Sequence, residues 1–146
     1  MSSLTGISRL FLDSAPVIYF VERHPVYYSI LEPIFTRFDA GALTAITSPI
    51  TLAECLTFPM RSGNKDVIQA FLELFGGEHS TLLVPLQRET ARLAAEIRSK
   101  YHVTLLDAFQ VASALEGSCE ALLTNDKALT KITELKIILV EGLQLM

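Results

Sequence analysis

Four carboxylates stand at comparable points of this sequence, and together they could hold a metal ion. Asp13 closes the apolar run Leu10-Phe11-Leu12. Glu54 lies in the segment that follows Leu43-Thr44-Ala45-Ile46. Asp107 opens an amphipathic stretch after Val103, and Asp126 closes the run Ala121-Leu122-Leu123-Thr124. This spacing puts three of them where a strand gives way to a helix, and Glu54 one turn inside a helix. In an open α/β sheet such places gather outside the carboxyl ends of the strands, where ligands bind. Carboxylates gathered there make a hard, oxygen-rich site suited to Mg2+ or Mn2+.

Each acid taken alone also has a structural reading. A negative side chain near a helix N-terminus is favoured by roughly 0.3–1 kcal/mol. Thr104-x-x-Asp107 and Thr51-x-x-Glu54 both resemble capping boxes. Asp126 could cap a helix starting at Lys127, and Asp13 could close an Asx-turn. Glu54 caps poorly, because Ser48-Pro49 already makes a good helix start. Its neighbours Leu52, Ala53, Cys55 and Leu56 are apolar, which predicts a partly buried carboxylate that needs a cation or hydrogen bonds. Acids gathered at the inner ends of such elements would repel one another, and a divalent cation relieves that directly.

The elements that must position these acids alternate. Strands are predicted at Arg9–Leu12, Leu43–Thr47, Thr81–Val84, Glu120–Thr124 and Lys136–Val140. Helices are predicted from Ala15 to about Val21 and from Val26 to about Ala40. Another starts at Ser48-Pro49 and ends near Thr57, before Phe58-Pro59, followed by a loop at Arg61–Asn64. Further helices follow at Asp66–Phe75, stopped by Gly76-Gly77, at Arg88–Tyr101, at Thr104–Glu116 and, briefly, at Lys127–Ile132. Arg92, Glu96 and Lys100 form an i,i+4 ladder on one of them. Alternation of this kind predicts an α/β fold, a three-layer α/β/α sandwich around a mainly parallel five-stranded sheet. With no repeat, low-complexity stretch or linker, residues 1–146 read as one domain.

The composition narrows the function classes. Half of the 146 residues are hydrophobic and 19% are charged, enough for one substantial core and unlike a disordered chain. No apolar run approaches the roughly 18 residues of a membrane helix, and the N-terminus lacks a basic signal-peptide region. Cys55 and Cys119 form no closely spaced motif, read best as buried small residues, and fit a reducing cytoplasmic compartment. The net charge of −4 argues against a nucleic-acid packaging protein but not against an enzyme acting on nucleic acid. His24, His79 and His102 are scattered without paired ligand spacing. There is no nucleophile elbow and no phosphate-binding glycine loop. Phe11-Leu12-Asp13-Ser14 lacks the acidic pair of a phosphoacceptor receiver, and Asp13-Ser14-Ala15 is not the Asp-x-Asp of a haloacid-dehalogenase phosphatase. Tyr27, Tyr28, Phe35 and Phe38 read as core with a possible subunit contact.

Four blocks together resemble the signature of PIN-domain ribonucleases, closest to the small VapC-like toxin type. They are Leu12-Asp13-Ser14, Ser48-Pro-Ile-Thr-Leu-Ala-Glu54, Leu106-Asp107-Ala-Phe-Gln-Val-Ala-Ser-Ala-Leu115 and Leu123-Thr-Asn-Asp126. The resemblance spans about Arg9 to Val140. It implies a PIN-like sandwich in which Asp13, Glu54, Asp107 and Asp126 hold Mg2+ or Mn2+ for endonucleolytic hydrolysis of RNA. Thr124 and Asn125 match a supporting polar pair, as does Ser14 beside the first acid. The resemblance also implies a homodimer and, for toxin-type members, an antitoxin protein partner. Two positions depart from the family pattern: Ala15 replaces a small polar residue, removing one possible supporting hydrogen bond, and Leu106 replaces a proline.

Substrate grip in this reading falls to cations near the acids, Arg61, Lys65 and Lys127, each of which could equally be solvated surface charge. Arg88, Arg92, Arg98 and Lys100 suit the exposed face of their helix. The alternative function is a catalytically weak or inactive PIN-fold module that serves protein interaction or regulation.

Overall fold

The computed structural model describes residues 4–76 and 81–143. Gly77 and His79, named above as part of a helix stop and as a scattered histidine, lie outside them. The sheet is built from β1 (Arg9–Leu12), β2 (Thr44–Thr47), β3 (Leu82–Leu83), β4 (Ala121–Thr124) and β5 (Lys136–Leu139). Its order is β3-β2-β1-β4-β5 and every pairing is parallel. β1 and β4 are apolar throughout their inner positions, as strands covered on both faces must be. Leu10 and Leu12 point to one layer, and Phe11 to the other.

One layer contains α1 (Ser14–Val21), α2 (Tyr28–Asp39), α3 (Pro49–Ser62) and α4 (Lys65–Gly76), packing Val17, Leu31, Phe35, Cys55 and Phe71 on the sheet. The other contains α5 (Arg88–Tyr101) and α6 (Leu105–Glu116), whose Ala94, Ile97, Ala108, Val111 and Ala112 cover Phe11, Ile46 and Leu122. The three-layer sandwich is therefore as expected. The chain winds outward from β1 through β2 to β3, then returns by α5 and α6 to lay β4 on the other side of β1. That reversal opens a crevice between the carboxyl ends of β1 and β4, the usual ligand position in such sheets.

The structure corrects several boundaries. α3 does not stop before Phe58-Pro59 but runs on to Ser62, with Pro59 inside it and buried. A proline there removes one helical hydrogen bond. The loss is tolerated because Pro59 is buried in the core and the helix closes within a turn. Gly63 adopts φ 68° and donates to the Met60 carbonyl, while the Asn64 N–H takes the Pro59 carbonyl. Arg61 thus sits in the last turn of a helix rather than in a loop, and Lys65 opens the next one. β3 is two residues long, shorter than predicted. Asp107 follows a helix rather than a strand, since α5 and α6 are joined directly through His102–Thr104. Within the charged ladder, Arg92 pairs with Glu96 at 3.0 Å, but Lys100 reaches Glu134 at 3.3 Å on the loop before β5. Among the described residues no helix is long and apolar enough to cross a membrane.

Candidate metal centre

Asp13 is the first residue past β1. The register that pairs Leu12 with Leu123 brings it against Thr124, and its N–H donates to the Leu123 carbonyl at 3.0 Å. It caps α1, which leaves its carboxylate buried at the crevice floor, 7% exposed. Burial of a carboxylate demands hydrogen bonds, and here three donors supply them. Oδ1 accepts from the Ser14 N–H at 2.9 Å and from Gln110 Nε2 at 3.1 Å. Oδ2 accepts from the Thr124 hydroxyl at 2.8 Å.

The same hydroxyl accepts from the Asp126 N–H at 3.1 Å, so Thr124 links the first acid to the fourth. Asp126 caps the 3-10 turn Lys127–Lys131 through Oδ1 to the Ala128 N–H at 2.9 Å and is otherwise exposed. Asn125 turns away from the crevice. Its amide donates to the Tyr19 hydroxyl at 3.4 Å and accepts from the Glu141 N–H at 3.3 Å, which anchors the loop carrying Asp126.

Asp107 lies in the first turn of α6, where its N–H caps onto Thr104 Oγ1 at 3.2 Å. Its carboxyl is half-buried and faces Asp126 and Asp13. Burial first, then the neighbouring charges of Asp126 and Asp13, push its pKa up to about 6. Glu54, on α3, is more exposed than its apolar neighbours predict. Apolar neighbours in sequence did not enclose it, since Ala53 and Glu54 occupy the outer side of α3 while Thr51 and Cys55 point inward. Its carboxylate nevertheless leans to the crevice and accepts from Ser14 Oγ at 3.0 Å. Local desolvation and the Asp13 charge raise its pKa, against the Ser14 hydrogen bond.

Among the described residues, no three His, Cys, Asp or Glu side chains converge tightly enough, as placed, to coordinate one ion. The donor set still fits a hard divalent cation. It is all oxygen, one member is fixed on the crevice floor, and its two raised carboxyls carry repulsion that a cation would remove.

The proposed substrate cations divide. Lys127 is paired with Glu141 at 3.3 Å on the surface, whereas Arg61 and Lys65 are exposed on either side of the Gly63-Asn64 turn. Cys55 and Cys119 have thiol pKa values raised by burial, Cys119 to about 12, which suits packing rather than reactivity. A cavity of about 320 Å³ at the amino end of β2, lined by Phe35, Phe38, Leu43 and Leu74 among others, contains none of the four acids. Sequence reasoning missed Gln110, Ser48 and Thr51, which bond to one another behind Asp13. The available signal for Gln110 was a polar residue within the apolar face of α6, one turn beyond Asp107.

Residues 10–135 match the family model of the PIN domain. No curated protein matches the chain significantly. The fold is similar to that of VapBC2 from Rickettsia felis, solved with a DNA fragment from its promoter, at 20% identity and a TM-score of 0.68 over 90% of this chain and 98% of that one. It is also similar to VapC20 from Mycobacterium tuberculosis, a sarcin-ricin loop cleaving toxin, at 12% identity and a TM-score of 0.67 over 87% and 98% of the two chains. DNA-bound VapBC from Salmonella typhimurium shares 17% identity with a TM-score of 0.65 over 91% and 98%.

Proposed function

The chain belongs to the PIN-domain family, and on that premise we propose that it is a Mg2+- or Mn2+-dependent endoribonuclease, the toxin of a toxin–antitoxin pair. The observation that carries the reading is the crevice between β1 and β4. It fixes Asp13 by three hydrogen bonds and turns Asp107 and Asp126 onto the same space. Asp13, Asp107, Asp126 and Glu54 would hold the ion, directly or through water. A divalent ion bound there supplies Lewis acidity and an activated water for hydrolysis of a phosphodiester.

The chain's own residues do the positioning. Ser14 steers Glu54 toward the ion. Thr124 aligns Asp13 and tethers the backbone of Asp126. Asn125 braces the loop from behind. The exposed Arg61 and Lys65 hold the flanking phosphates of a single strand, and Lys127 serves once its pairing with Glu141 opens. The chain works in the cytoplasm as a homodimer and pairs with an antitoxin; the VapBC complexes among its structural neighbours support the antitoxin partner.

RNA cleavage with and without Mn2+, comparing the unaltered protein with Asp13→Ala and Asp107→Ala, tests the assignment. Metal-dependent cleavage lost in both variants supports it, and cleavage by both variants equal to that of the unaltered protein sinks the site. One observation favours the alternative of an inactive interaction module, namely that among the described residues no trio of ligands is gathered. That reading predicts neither cleavage nor Mn2+ binding by the unaltered protein.

A further inference from the structure

We propose that Gln110 is a positioning residue that commits one oxygen of Asp13 to the protein and reserves the other for the cation. The inference rests on the nuclease reading above. Gln110 is 1% exposed and lies on α6, whose Ala108, Val111, Ala112 and Ala114 are buried as well. Its amide cannot be buried cheaply unless its hydrogen-bonding groups are engaged, and here both ends are. Nε2 donates to Asp13 Oδ1 at 3.1 Å and to Thr51 Oγ1 at 2.7 Å, and Oε1 accepts from the Ser48 hydroxyl.

The chemistry of the partners permits one amide orientation only. Thr51 gives its hydroxyl proton to the Leu12 carbonyl at 3.1 Å, so toward Gln110 it must accept. Ser48 Oγ already accepts from the Ile50 and Thr51 N–H groups at 3.2 and 3.3 Å, so its proton goes to Gln110. An ionised Asp13 can only accept. The amide therefore ties the end of β1, the start of α3 and the middle of α6 to a single carboxylate oxygen.

Counting lone pairs on that carboxylate gives the consequence. Oδ1 takes two hydrogen bonds, from Ser14 and Gln110, and is saturated. Oδ2 takes one, from Thr124, and keeps a free lone pair. The carboxylate can neither flip nor offer both oxygens. Glutamate at 110 has the right shape but turns acceptors toward Asp13 and Thr51. Leucine fills the space and donates nothing. Gln110 itself does not reach the substrate, so its effect is on ion affinity and on the ion dependence of the rate.

The test is the Mn2+ affinity of folded protein, read by electron paramagnetic resonance of free Mn2+, for Gln110→Leu and Gln110→Glu. Cleavage of a single-stranded RNA is measured alongside as a function of Mn2+. Mn2+ should bind about 10–100-fold more weakly to Gln110→Leu, and more weakly still to Gln110→Glu. Cleavage by Gln110→Leu should recover at raised Mn2+, because all four acids remain. Should Gln110→Leu not fold, Thr51→Val removes one of the two acceptors that hold the amide and should weaken Mn2+ several-fold. Lowered melting temperatures with unchanged Mn2+ affinity would overturn the inference and leave the nuclease reading standing. Failure of the unaltered protein to bind Mn2+ would overturn both.

Discussion

Asp13 and Asp107 face the same crevice in opposite surroundings. Asp13 is buried and served by three donors, Ser14, Gln110 and Thr124. Asp107 is half-buried, its backbone is capped by Thr104, and its carboxyl meets the carboxylates of Asp126 and Asp13. The fold needs the first acid in place, because a set of buried donors is built around it. The second is a liability to the fold that only a cation, or a proton, relieves. In this crevice, then, one acid is built into the hydrogen bonding of the fold, while the other is left facing like charge.

The largest expected separation is in metal-free stability. Asp13→Ala leaves Gln110 Nε2, the Thr124 hydroxyl and the Ser14 N–H without their acceptor, and should cost roughly 2–4 kcal/mol in urea melts with chelator present. A cost under about 0.5 kcal/mol would erase the contrast. Thr124→Val comes next. It keeps the shape of the crevice floor but frees Asp13 Oδ2 and the Asp126 N–H. Mn2+ affinity should fall by about tenfold, and isothermal titration calorimetry would reveal an unchanged value if Thr124 only fills space.

A smaller effect, of opposite sign to that of Asp13→Ala, belongs to Asp107. Its folded pKa of about 6 lies above the roughly 4 of an unfolded aspartate. The folded state therefore takes up a proton first as pH falls. Metal-free stability should rise as pH drops from above 6 toward 4, by about 1 kcal/mol after allowance for solvent screening of a half-buried group. Asp107→Asn should make the metal-free protein more stable at pH 7.5 and flatten this pH dependence. Mn2+ affinity of the unaltered protein should run the other way and weaken below pH 6, because binding needs the ionised group. The smallest change is expected at Lys127→Ala, which breaks an exposed pairing with Glu141 and should shift stability by less than about 0.5 kcal/mol.

The parts of this contrast were unequally visible in the sequence. Apolar runs ending in an acid gave β1 and β4 and placed Asp13 and Asp126, because a buried parallel strand is contiguous and its carboxyl end is where the run stops. Ser48-Pro49 marked the start of α3, since capping chemistry is local. Its end was misplaced at Phe58-Pro59, because the burial of Pro59 that offsets a broken helical bond is a tertiary fact. The exposure of Glu54 was likewise hidden, since apolar neighbours along a helix say nothing about which side turns to the core. The partners of Gln110 were beyond reach for the same reason on a longer scale. Gln110 meets Asp13 across 97 residues of chain and Thr51 across 59. Pairs so far apart in the chain leave no periodic signal.

The central claim is that a divalent ion sits between the fixed acid and the repelling ones. Anomalous diffraction from crystals grown with Mn2+ tests it most directly. The account predicts a peak in the crevice between β1 and β4, beside Asp13 Oδ2 and within coordinating reach of Asp107 or Asp126. A crevice without a peak at Mn2+ concentrations that support RNA cleavage, or a peak held by other residues, would contradict it.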